Sequence, residues 1–358
     1  MKQLLSFIGL VCLMIFSSCS SNDFEPTTTS TSGNNFSNDW IIPQNEVFDG
    51  GVGKDGIPSI DNPQFATFSE GQTRASYLDA LVVGIVVDGV AKAYPHPILD
   101  WHEIVNDEIG SASVAITYCP LTGTAVGWNR MVNNQVTEFG VSGLLYNTNL
   151  MPYDRRTDST WSQQRLDCVN GDLIGEQIEV VPVVETTLST WLDTYPDSEI
   201  LTEDTGINRD YGRYPYGDYI TNNSRLLFPI SDMDNRLPAK ERVLGVFDDS
   251  GQVKGYPFDR SSSETEVILD NFNGESFVIA RNTARNFIVA FENPGNLTFT
   301  ASQDFPAVLE DENGGLYDIT GQLISNSAGQ SSELVIAKSF IGYWFSWGTF
   351  YQDLELFE

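Results

Sequence analysis

The sequence predicts an α+β fold rich in β-structure, made of two homologous tandem repeats that pack as a pseudo-symmetric pair. Three observations lead to this prediction. Short runs of β-branched and aromatic residues alternate with Asn/Gly and Asp/Gly turns along most of the chain. Two short segments have apolar residues at helical spacing. Several blocks of sequence occur twice, in the same order, once in each half.

The internal repeat is visible as matching blocks. The run LVVGIVVDGVAKAYPHPI, from Leu81, resembles RVLGVFDDSGQVKGYPFD, from Arg242. The matched residues are Gly84 with Gly245, Tyr94 with Tyr256, Gly110 with Gly274, Val114 with Val278, Tyr153 with Tyr317, Asp154 with Asp318, Trp191 with Trp347, Tyr195 with Tyr351 and Glu199 with Glu355. We therefore predict a first repeat over 56–203, a connector over 204–237 and a degenerate second repeat over 238–358.

Local patterns assign the main elements. The run from Leu81 reverses at an Asp-Gly pair, which predicts a β-hairpin. The β-branched runs ASVAITYC and ESFVIARN predict strands. The segment PILDWHEIVND predicts a short helix. The segment ETTLSTWLDTYP predicts another, capped by Thr186 or Thr187 and ending before Pro196.

The chain is strongly acidic. Its 358 residues include 19 Lys+Arg and 49 Asp+Glu, which gives a formal net charge of −30. Such a surface repels nucleic acid and anionic headgroups and favours solubility or cationic partners. We therefore expect no nucleic-acid partner. A hydrophobic content of 41%, with 12% aromatic residues, is enough for a substantial core.

The N-terminus has the features of a bacterial lipoprotein. Lys2 precedes an apolar stretch, Leu4 to Phe16, that is too short to span a bilayer. Small residues then lead to Cys19, with phenylalanine where a lipobox usually has leucine. We predict a signal peptide over 1–18, acylation of Cys19 and a flexible tether over 19–40, with a simple cleaved signal as the alternative. The predicted location is the cell envelope, at the outer membrane or periplasmic face, with the lipid bilayer as a partner.

The residues with distinctive chemistry are concentrated in the first repeat. Both histidines of the chain, His96 and His102, lie within seven residues of each other, upstream of Cys119. The second repeat has no histidine, and the alignment places Thr283 where the first repeat has Cys119. We expect the first repeat to carry a site and the second to act as scaffold. His96 lies between two prolines, so we expect it on a surface loop.

The leading functional prediction is binding of a metal ion, copper or zinc, or of a small ligand. The thiolate of Cys119 and the imidazole of His102 suit these metals, and Glu103 or Asp154 offers a carboxylate. A zincin is excluded because Asn106 stands where the second histidine of that motif belongs.

The first alternative is a cysteine-dependent hydrolase or redox enzyme. In that case the catalytic residues are Cys119, His102 and Glu103, with His102 as the base that takes the thiol proton. Since the predicted compartment is oxidising, Cys119 and Cys168 are also candidates for a structural disulfide. These alternatives stay open at the level of the sequence.

A second alternative is a non-catalytic surface module that binds peptide or glycan. The segment GLLYNTNLMPYDRRTDSTWSQQ is dense in polar and aromatic groups suited to line a pocket. Together with the residue before Cys119, it supplies the predicted ligand-binding residues Tyr118, Tyr146, Asn147, Asp154, Arg155, Trp161 and Gln163. A long structured loop is the simpler interpretation of the same segment.

Four blocks resemble a known family. AYPHPILDWHEIVND, ITYCPLTGTAVGW, VSGLLYNTNLMPYDRRTDSTWSQ and the closing YWFSWGTFYQDLEL are similar to the bacterial domain-of-unknown-function family numbered 3179, over about 56–358. The resemblance implies an exported or membrane-attached protein and implies no reaction. Its signature blocks hold His102, Glu103, Asn106, Asp107, Tyr118, Cys119, Pro120, Gly143, Tyr146, Asn147, Asp154, Arg155, Thr157, Trp161, Ser162 and Gln163. His96 and Cys168 are peripheral to them, which lowers the weight of the disulfide.

Overall fold

Strands make up most of the regular structure, as the sequence predicts. The computed structural model describes residues 40–258, 263–326, 329 and 332–358. The predicted signal peptide, Cys19 and the predicted tether up to residue 39 lie outside the described residues. Within the described ranges, no helix is long and apolar enough to cross a membrane.

The first part of the chain forms sixteen of the described strands and two of the helices. The helices are α1 His96–His102 and α2 Leu188–Thr194. The strands are β1 Val47–Asp49, β2 Phe65–Thr67, β3 Leu81–Val87, β4 Val90–Pro95, β5 Ile104–Ile109, β6 Ala112–Cys119, β7 Thr124–Asn129, β8 Met131–Val132, β9 Gln135–Val136, β10 Phe139–Tyr146, β11 Asn149–Asp154, β12 Thr160–Ser162, β13 Asp167–Asn170, β14 Val180–Val181, β15 Val184–Thr187 and β16 Glu199–Leu201.

The second part forms a shorter series with one described helix, α3 Trp344–Phe350. Its strands are β17 Arg242–Phe247, β18 Val253–Pro257, β19 Glu266–Phe272, β20 Glu275–Asn282, β21 Phe287–Glu292, β22 Phe299–Ala301, β23 Leu309–Asp311, β24 Gly315–Tyr317, β25 Leu323–Asn326, β26 Ser339–Tyr343 and β27 Glu355–Leu356.

The sheets of the two parts have the same strand order. β15-β3-β4-β16, with β2 added at the edge, is matched by β26-β17-β18-β27. In both sheets a central hairpin takes an antiparallel strand on one side and a parallel strand on the other. The meander β5-β6-β7 is matched by β19-β20-β21, and the order β10-β11-β12-β13 by β22-β23-β24-β25.

Helices α2 and α3 pack on their sheets in the same way. Trp191 of α2 and Trp347 of α3 are fully buried. A Cβ on Gly84 would lie 2.3 Å from the Trp191 ring, and a Cβ on Gly245 would lie 2.3 Å from the Trp347 ring. Only glycine leaves room for either ring. The pairs that the sequence matches, Gly84 with Gly245 and Trp191 with Trp347, therefore pack in the same way.

The two parts also pack across each other. β26 contacts β7, and β15 contacts β21. The two largest hydrophobic clusters each contain residues from both parts of the chain. The core is therefore shared between the parts.

Several local predictions are confirmed and one is wrong. β3 and β4 form the predicted hairpin, with Asp88 and Gly89 at positive φ in the turn. α2 is capped by the Thr187 side chain, as one of the two predictions had it. The predicted helix over PILDWHEIVND is too long: α1 ends at His102, Glu103 takes a left-handed φ of 60°, and β5 begins at Ile104.

The strand ladders also correct the sequence alignment of the two parts. Cys119 pairs with Thr124 at the closing end of the β6–β7 hairpin, and Asn282 pairs with Phe287 at the same end of the β20–β21 hairpin. The position of Cys119 thus corresponds to Asn282, not to Thr283.

A second shift concerns the predicted match of Asp154 with Asp318. Trp161 donates a hydrogen bond of 3.2 Å to Asp154, at the end of β11. Tyr317 donates one of 2.6 Å to Asp311, at the end of β23. Asp154 therefore corresponds to Asp311, and the aromatic partner Trp161 corresponds to Tyr317. The alignment missed this because the intervening turns differ in length.

Candidate functional site

His102 is fully buried and has both ring nitrogens engaged. Nδ1 lies 2.7 Å from the carbonyl oxygen of Pro58, and Nε2 lies 2.7 Å from the hydroxyl of Tyr211. Because a carbonyl only accepts, we assign the ring proton to Nδ1 and the donor role in the second bond to Tyr211. Burial lowers the pKa of His102, Arg209 lowers it further, and the bond to Pro58 opposes both. The imidazole therefore ties two loops together.

Cys119 is buried at the end of β6 and makes separate contacts. Its Sγ lies 3.7 Å from the carbonyl oxygen of Thr148. Burial, and then the charge of Glu103, raise the pKa of the thiol to about 11. An activated nucleophile needs the opposite shift. With no hydrogen bond from Cys119 to His102, this arrangement does not support the predicted catalytic dyad.

The disulfide alternative is wrong in this structure. Cys119 and Cys168 are both free thiols. The Sγ of Cys168 lies 3.4 Å from the carbonyl oxygens of Thr160 and Asn170.

The described residues do not provide the group of ligating side chains that the metal prediction requires. These contain no group of three or more His, Cys, Asp or Glu side chains placed to hold a metal ion. His102 and Cys119, the predicted copper or zinc ligands, have separate hydrogen-bond partners. The described residues therefore do not fit a copper or zinc centre.

His96 is not on a surface loop, contrary to the sequence-based expectation. It begins α1 and is buried. Its Nε2 lies 3.3 Å from Oε2 of Glu185, and its ring contacts that of Tyr118 at a centroid distance of 4.4 Å and a tilt of 45°. Burial alone would raise the pKa of Glu185, but Arg242 and His96 lower it below its usual value.

Most of the predicted ligand-binding segment is structural. Trp161 is fully buried, with its ring 6.2 Å from that of Trp128. Asp154 accepts hydrogen bonds from Trp161 and Thr157 inside its own turn. Gln163 donates to Thr117 and to the carbonyl of Thr124, and it accepts from Asn149. The signature residues of this segment thus brace the hairpin that carries Cys119.

The remaining members of that segment are dispersed. The Asn147 side chain accepts a hydrogen bond from the backbone of Ser231. Tyr146 is half-buried with its ring 5.4 Å from that of Phe350. Arg155 is exposed and is paired with Asp55. The structure therefore does not bring the predicted ligand-binding residues together in one pocket.

The structure instead assembles a different group of buried and half-buried side chains near Cys119. We call it the acid–tyrosine cluster. It takes residues from α1, from its C-cap, from the end of β6, from the connector and from β26. Its members are Asp100, Glu103, Tyr118, Cys119, Tyr214, Tyr216 and Tyr343.

The two carboxyl groups of the cluster, those of Glu103 and Asp100, have few hydrogen-bond donors and no cation paired with them in the described residues. Glu103 is 6% exposed, and its Oε1 has only a long contact of 3.5 Å from the hydroxyl of Tyr216. Burial raises the pKa of Glu103 to about 8. Oδ1 of Asp100 is buried and has no hydrogen-bond partner in the described residues. Burial, and then the charge of Glu103, raise the pKa of Asp100 well above its usual range.

The two acids of the cluster affect the pKa values of its tyrosines. Burial, and then the charge of Asp100, raise the pKa of the Tyr118 and Tyr214 hydroxyls. Burial, and then the charge of Glu103, do the same for the pKa of Tyr216. The rings of Tyr214 and Tyr216 lie 5.6 Å apart. The cluster thus combines two acids, one thiol and four phenols in a largely dehydrated environment.

The connector over 204–237 covers this cluster. Tyr211 bonds to His102, the indole of Trp101 donates to the carbonyl of Arg213 at 3.1 Å, and Tyr219 donates to the carbonyl of Leu121 at 2.8 Å. The sequence-based prediction treated this segment as a simple link. Its density of tyrosine in DYGRYPYGDY was the available signal.

The second part of the chain completes the site. The backbone N–H of Tyr343 donates to the carbonyl of Thr122 at 2.7 Å. A Cβ on Gly123, whose φ is 59°, would lie 2.8 Å from the Tyr343 ring. The prediction placed the whole site in the first repeat, whereas Tyr343 of β26 also belongs to the cluster.

The family model described as "Protein of unknown function (DUF3179)" matches residues 54–354. The chain belongs to this family. No curated protein and no solved structure matches it. The matched range includes every described member of the acid–tyrosine cluster.

Proposed function

We propose that the chain is a binding module that holds a small polar ligand in the acid–tyrosine cluster. The observation that carries this proposal is the buried Oδ1 of Asp100, which has no hydrogen-bond partner in the described residues. A buried polar atom left unpaired costs about 1–3 kcal/mol, and a charged one costs more. A ligand that supplies a donor to Asp100 and Glu103 would offset this cost.

The same geometry favours binding over chemistry at the thiol. Cys119 has a raised pKa, and His102 has no free ring nitrogen to take its proton. We therefore treat the thiol as a wall of the pocket. In this proposal Cys119→Ser keeps ligand affinity within about threefold, whereas a cysteine-dependent enzyme would lose its activity.

Thermal unfolding with a panel of small cations, neutral polyols and carboxylates tests the proposal. We expect one class to raise the Tm of the wild type and not that of Asp100→Asn. Asp249→Asn, which changes an exposed acid, is the matched control and should behave as the wild type. If no class stabilises the wild type, the cluster is not a binding site for small polar molecules.

We also propose that the chain is anchored in the cell envelope through an acylated Cys19. The support is the sequence alone: Lys2, the apolar stretch Leu4 to Phe16 and the small residues before Cys19. Incorporation of a labelled fatty acid in a bacterial host tests this. The label should be lost in Cys19→Ala and kept in the control Cys12→Ala. Retention of label in Cys19→Ala would contradict the anchor.

We infer further that the chain arose by tandem duplication and that its halves pack as a pseudo-symmetric pair. Three features support this inference. The sheets have matching strand orders, Trp191 and Trp347 occupy matching glycine clefts, and the contact of β26 with β7 mirrors that of β15 with β21. In this scheme the two acids of the cluster come from the first half, and Tyr343 is the contribution of the second.

A further inference from the structure

The meanders β5-β6-β7 and β19-β20-β21 share one set of side-chain contacts, and this set aligns their residues with each other. In each, an aspartate of the first strand accepts from a lysine and a tyrosine of the preceding hairpin. The contacts are Lys92–Asp107 at 2.8 Å, Tyr94–Asp107 at 2.6 Å, Lys254–Asp270 at 2.8 Å and Tyr256–Asp270 at 2.7 Å. Asp107 pairs with Val114, and Asp270 pairs with Phe277.

When residues are counted along each ladder from the Asp107–Val114 and Asp270–Phe277 pairs, the carboxyl groups of Glu103 and Glu266 fall at matching positions. Glu103, the residue directly before β5, corresponds to Glu266, the first residue of β19. On the second strand, Tyr118 corresponds to Arg281. The backbone N–H of Tyr118 donates to the carbonyl of Glu103 at 2.7 Å, which extends the ladder to this position.

The two carboxylates have different surroundings. Nε of Arg281 donates to Oε2 of Glu266 at 2.9 Å, and the Glu266 side chain is 41% exposed. In the first half the corresponding residue is Tyr118, which offers Glu103 no positive charge. Glu103 is much more deeply buried, and Asp100 adds a second acid beside it. The more dehydrated carboxyl group is the one without a cation, so its ionised form is strongly disfavoured unless a positive charge is brought beside it.

We propose that the ligand of the acid–tyrosine cluster is a small organic cation, an alkylammonium or guanidinium group. It would occupy beside Glu103 the place that the Arg281 guanidinium has beside Glu266. This inference rests on the proposed function. It accounts for the unpartnered Oδ1 of Asp100, because a cation with N–H groups supplies both the charge and the donor.

The tyrosines and the overall charge suit the same ligand. Faces of tyrosine rings attract ammonium and guanidinium groups, and the attraction increases when water is excluded. Tyr118, Tyr214, Tyr216 and Tyr343 supply four such rings. The net charge of −30 draws cations toward the chain as a whole. A divalent metal fits less well, since the described residues contain no group of three ligating side chains placed to bind one.

Calorimetric titration of the folded wild type with methylguanidinium, methylammonium and methylurea tests the inference. Methylurea has nearly the shape of methylguanidinium and no charge. We expect the two cations to bind saturably and methylurea to bind at least tenfold more weakly. Because a bound cation favours ionised Glu103, binding at about pH 7.5 should release protons, seen as a dependence on the ionisation enthalpy of the buffer. Glu103→Gln should weaken cation binding at least tenfold and reduce the proton release.

A pair of exchange variants sharpens the test. Tyr118→Arg gives the first half the internal cation of the second, and it should abolish cation binding while the chain stays folded. Arg281→Tyr is the matched exchange and should leave cation affinity unchanged. If Tyr118→Arg does not fold, Glu103→Gln carries the test.

The outcomes separate the two proposals. Equal binding of methylurea and methylguanidinium, or cation binding that survives Glu103→Gln, overturns the cation and leaves a polar pocket. Binding of zinc or calcium chloride alone overturns it in favour of a metal. If none of these probes binds the folded wild type, the proposed function itself fails.

Discussion

The turn after β6 and the turn after β20 occupy matching places in their ladders and differ in chemistry. Each has a residue at positive φ, Gly123 at 59° in the first and Asn286 at 54° in the second. Each also bonds to the other half of the chain. The carbonyl of Thr122 accepts from Tyr343, and that of Arg285 accepts from the Thr190 hydroxyl. The backbone arrangement is thus shared, whereas the side chains around it are not.

The comparison distinguishes residues that stabilise the fold, which occur in both halves, from residues of the candidate site, which differ between them. The glycine–tryptophan contacts and the Lys–Asp–Tyr groups occur in both halves, as expected of features that stabilise the structure. The uncompensated acids occur only in the first half of the described chain, where Tyr118 takes the place of Arg281. Two buried carboxyl groups without a cation keep their protons to a higher pH than usual, and groups with pKa values shifted in this way are more frequent at functional sites.

The largest expected effect concerns a shared feature. Trp191→Ala and Trp347→Ala should each lower the free energy of unfolding by about 3–5 kcal/mol, because each leaves a cavity beside a glycine. Urea denaturation measures both. If one substitution costs less than half as much as the other, the two helices do not play equivalent roles.

The next effect concerns the turn that touches Tyr343. Gly123→Ala adds a methyl group that would lie 2.8 Å from the Tyr343 ring, at a φ of 59°. Gly274→Ala also has a positive φ, 90°, but nothing lies within 4 Å of the added carbon. We expect the second to cost about 1–2 kcal/mol from backbone strain and the first to cost about 1–3 kcal/mol more. Equal losses in urea denaturation would mean that Tyr343 does not press on this turn.

A pH-dependent effect distinguishes Glu103 from Glu266. The folded pKa of Glu103, about 8, lies above its ordinary value of 4.5, so the folded state holds a proton that the unfolded state has lost. The contribution of Glu103 to stability should therefore be fully present below about pH 4.5 and be lost as the pH rises toward about 8, by at most about 1.4 kcal/mol per pH unit for this group. Asp100 acts in the same direction, while Cys119 and Tyr216 stay protonated in this window.

Glu103→Gln should reduce this slope, because only Asp100 of the two acids then remains, and Glu266→Gln should leave it unchanged. Urea denaturation at a series of pH values measures both. A slope unchanged in Glu103→Gln would show that the Glu103 carboxyl does not take up a proton on folding at neutral pH.

The smallest effect is on thiol reactivity. Cys119 is buried and its pKa is raised to about 11, so iodoacetamide at about pH 7.5 should not label it in the folded chain. The experiment is done in Cys168→Ser, so that Cys119 is the one described thiol available for labelling. In urea, the unfolded chain should be labelled fully at Cys119. Rapid labelling of the folded chain would revive the cysteine-dependent alternative.

The sequence predicted the hairpins, the cap of α2 and the paired tryptophans because these depend on local patterns. It failed where the answer depends on distant residues. Nothing near His102 indicates that Pro58 and Tyr211 occupy its ring nitrogens. The end of α1 at Glu103 was also missed, since a left-handed glutamate is not a recognised stop signal.

The site shows the same limit. The sequence analysis selected Cys119, His102 and Glu103 as candidates, and in the structure the charge of Glu103 acts on the Cys119 thiol. It did not select Asp100, His96 or the connector tyrosines. Alignment of the sequence blocks placed Thr283 opposite Cys119 because a single-residue shift in register is invisible without the ladder. That shift also hid the correspondence of Tyr118 with Arg281, on which the ligand inference depends.

The contact between Tyr343 and the turn at Gly123 joins segments separated by more than half of the chain. A partly synthesised or truncated molecule lacks that contact, whatever the state of its first half. In the proposed function the site is therefore complete only when the last strands have docked, and long-range docking of this kind is slow. Ligand affinity would then be a property of the fully folded chain alone.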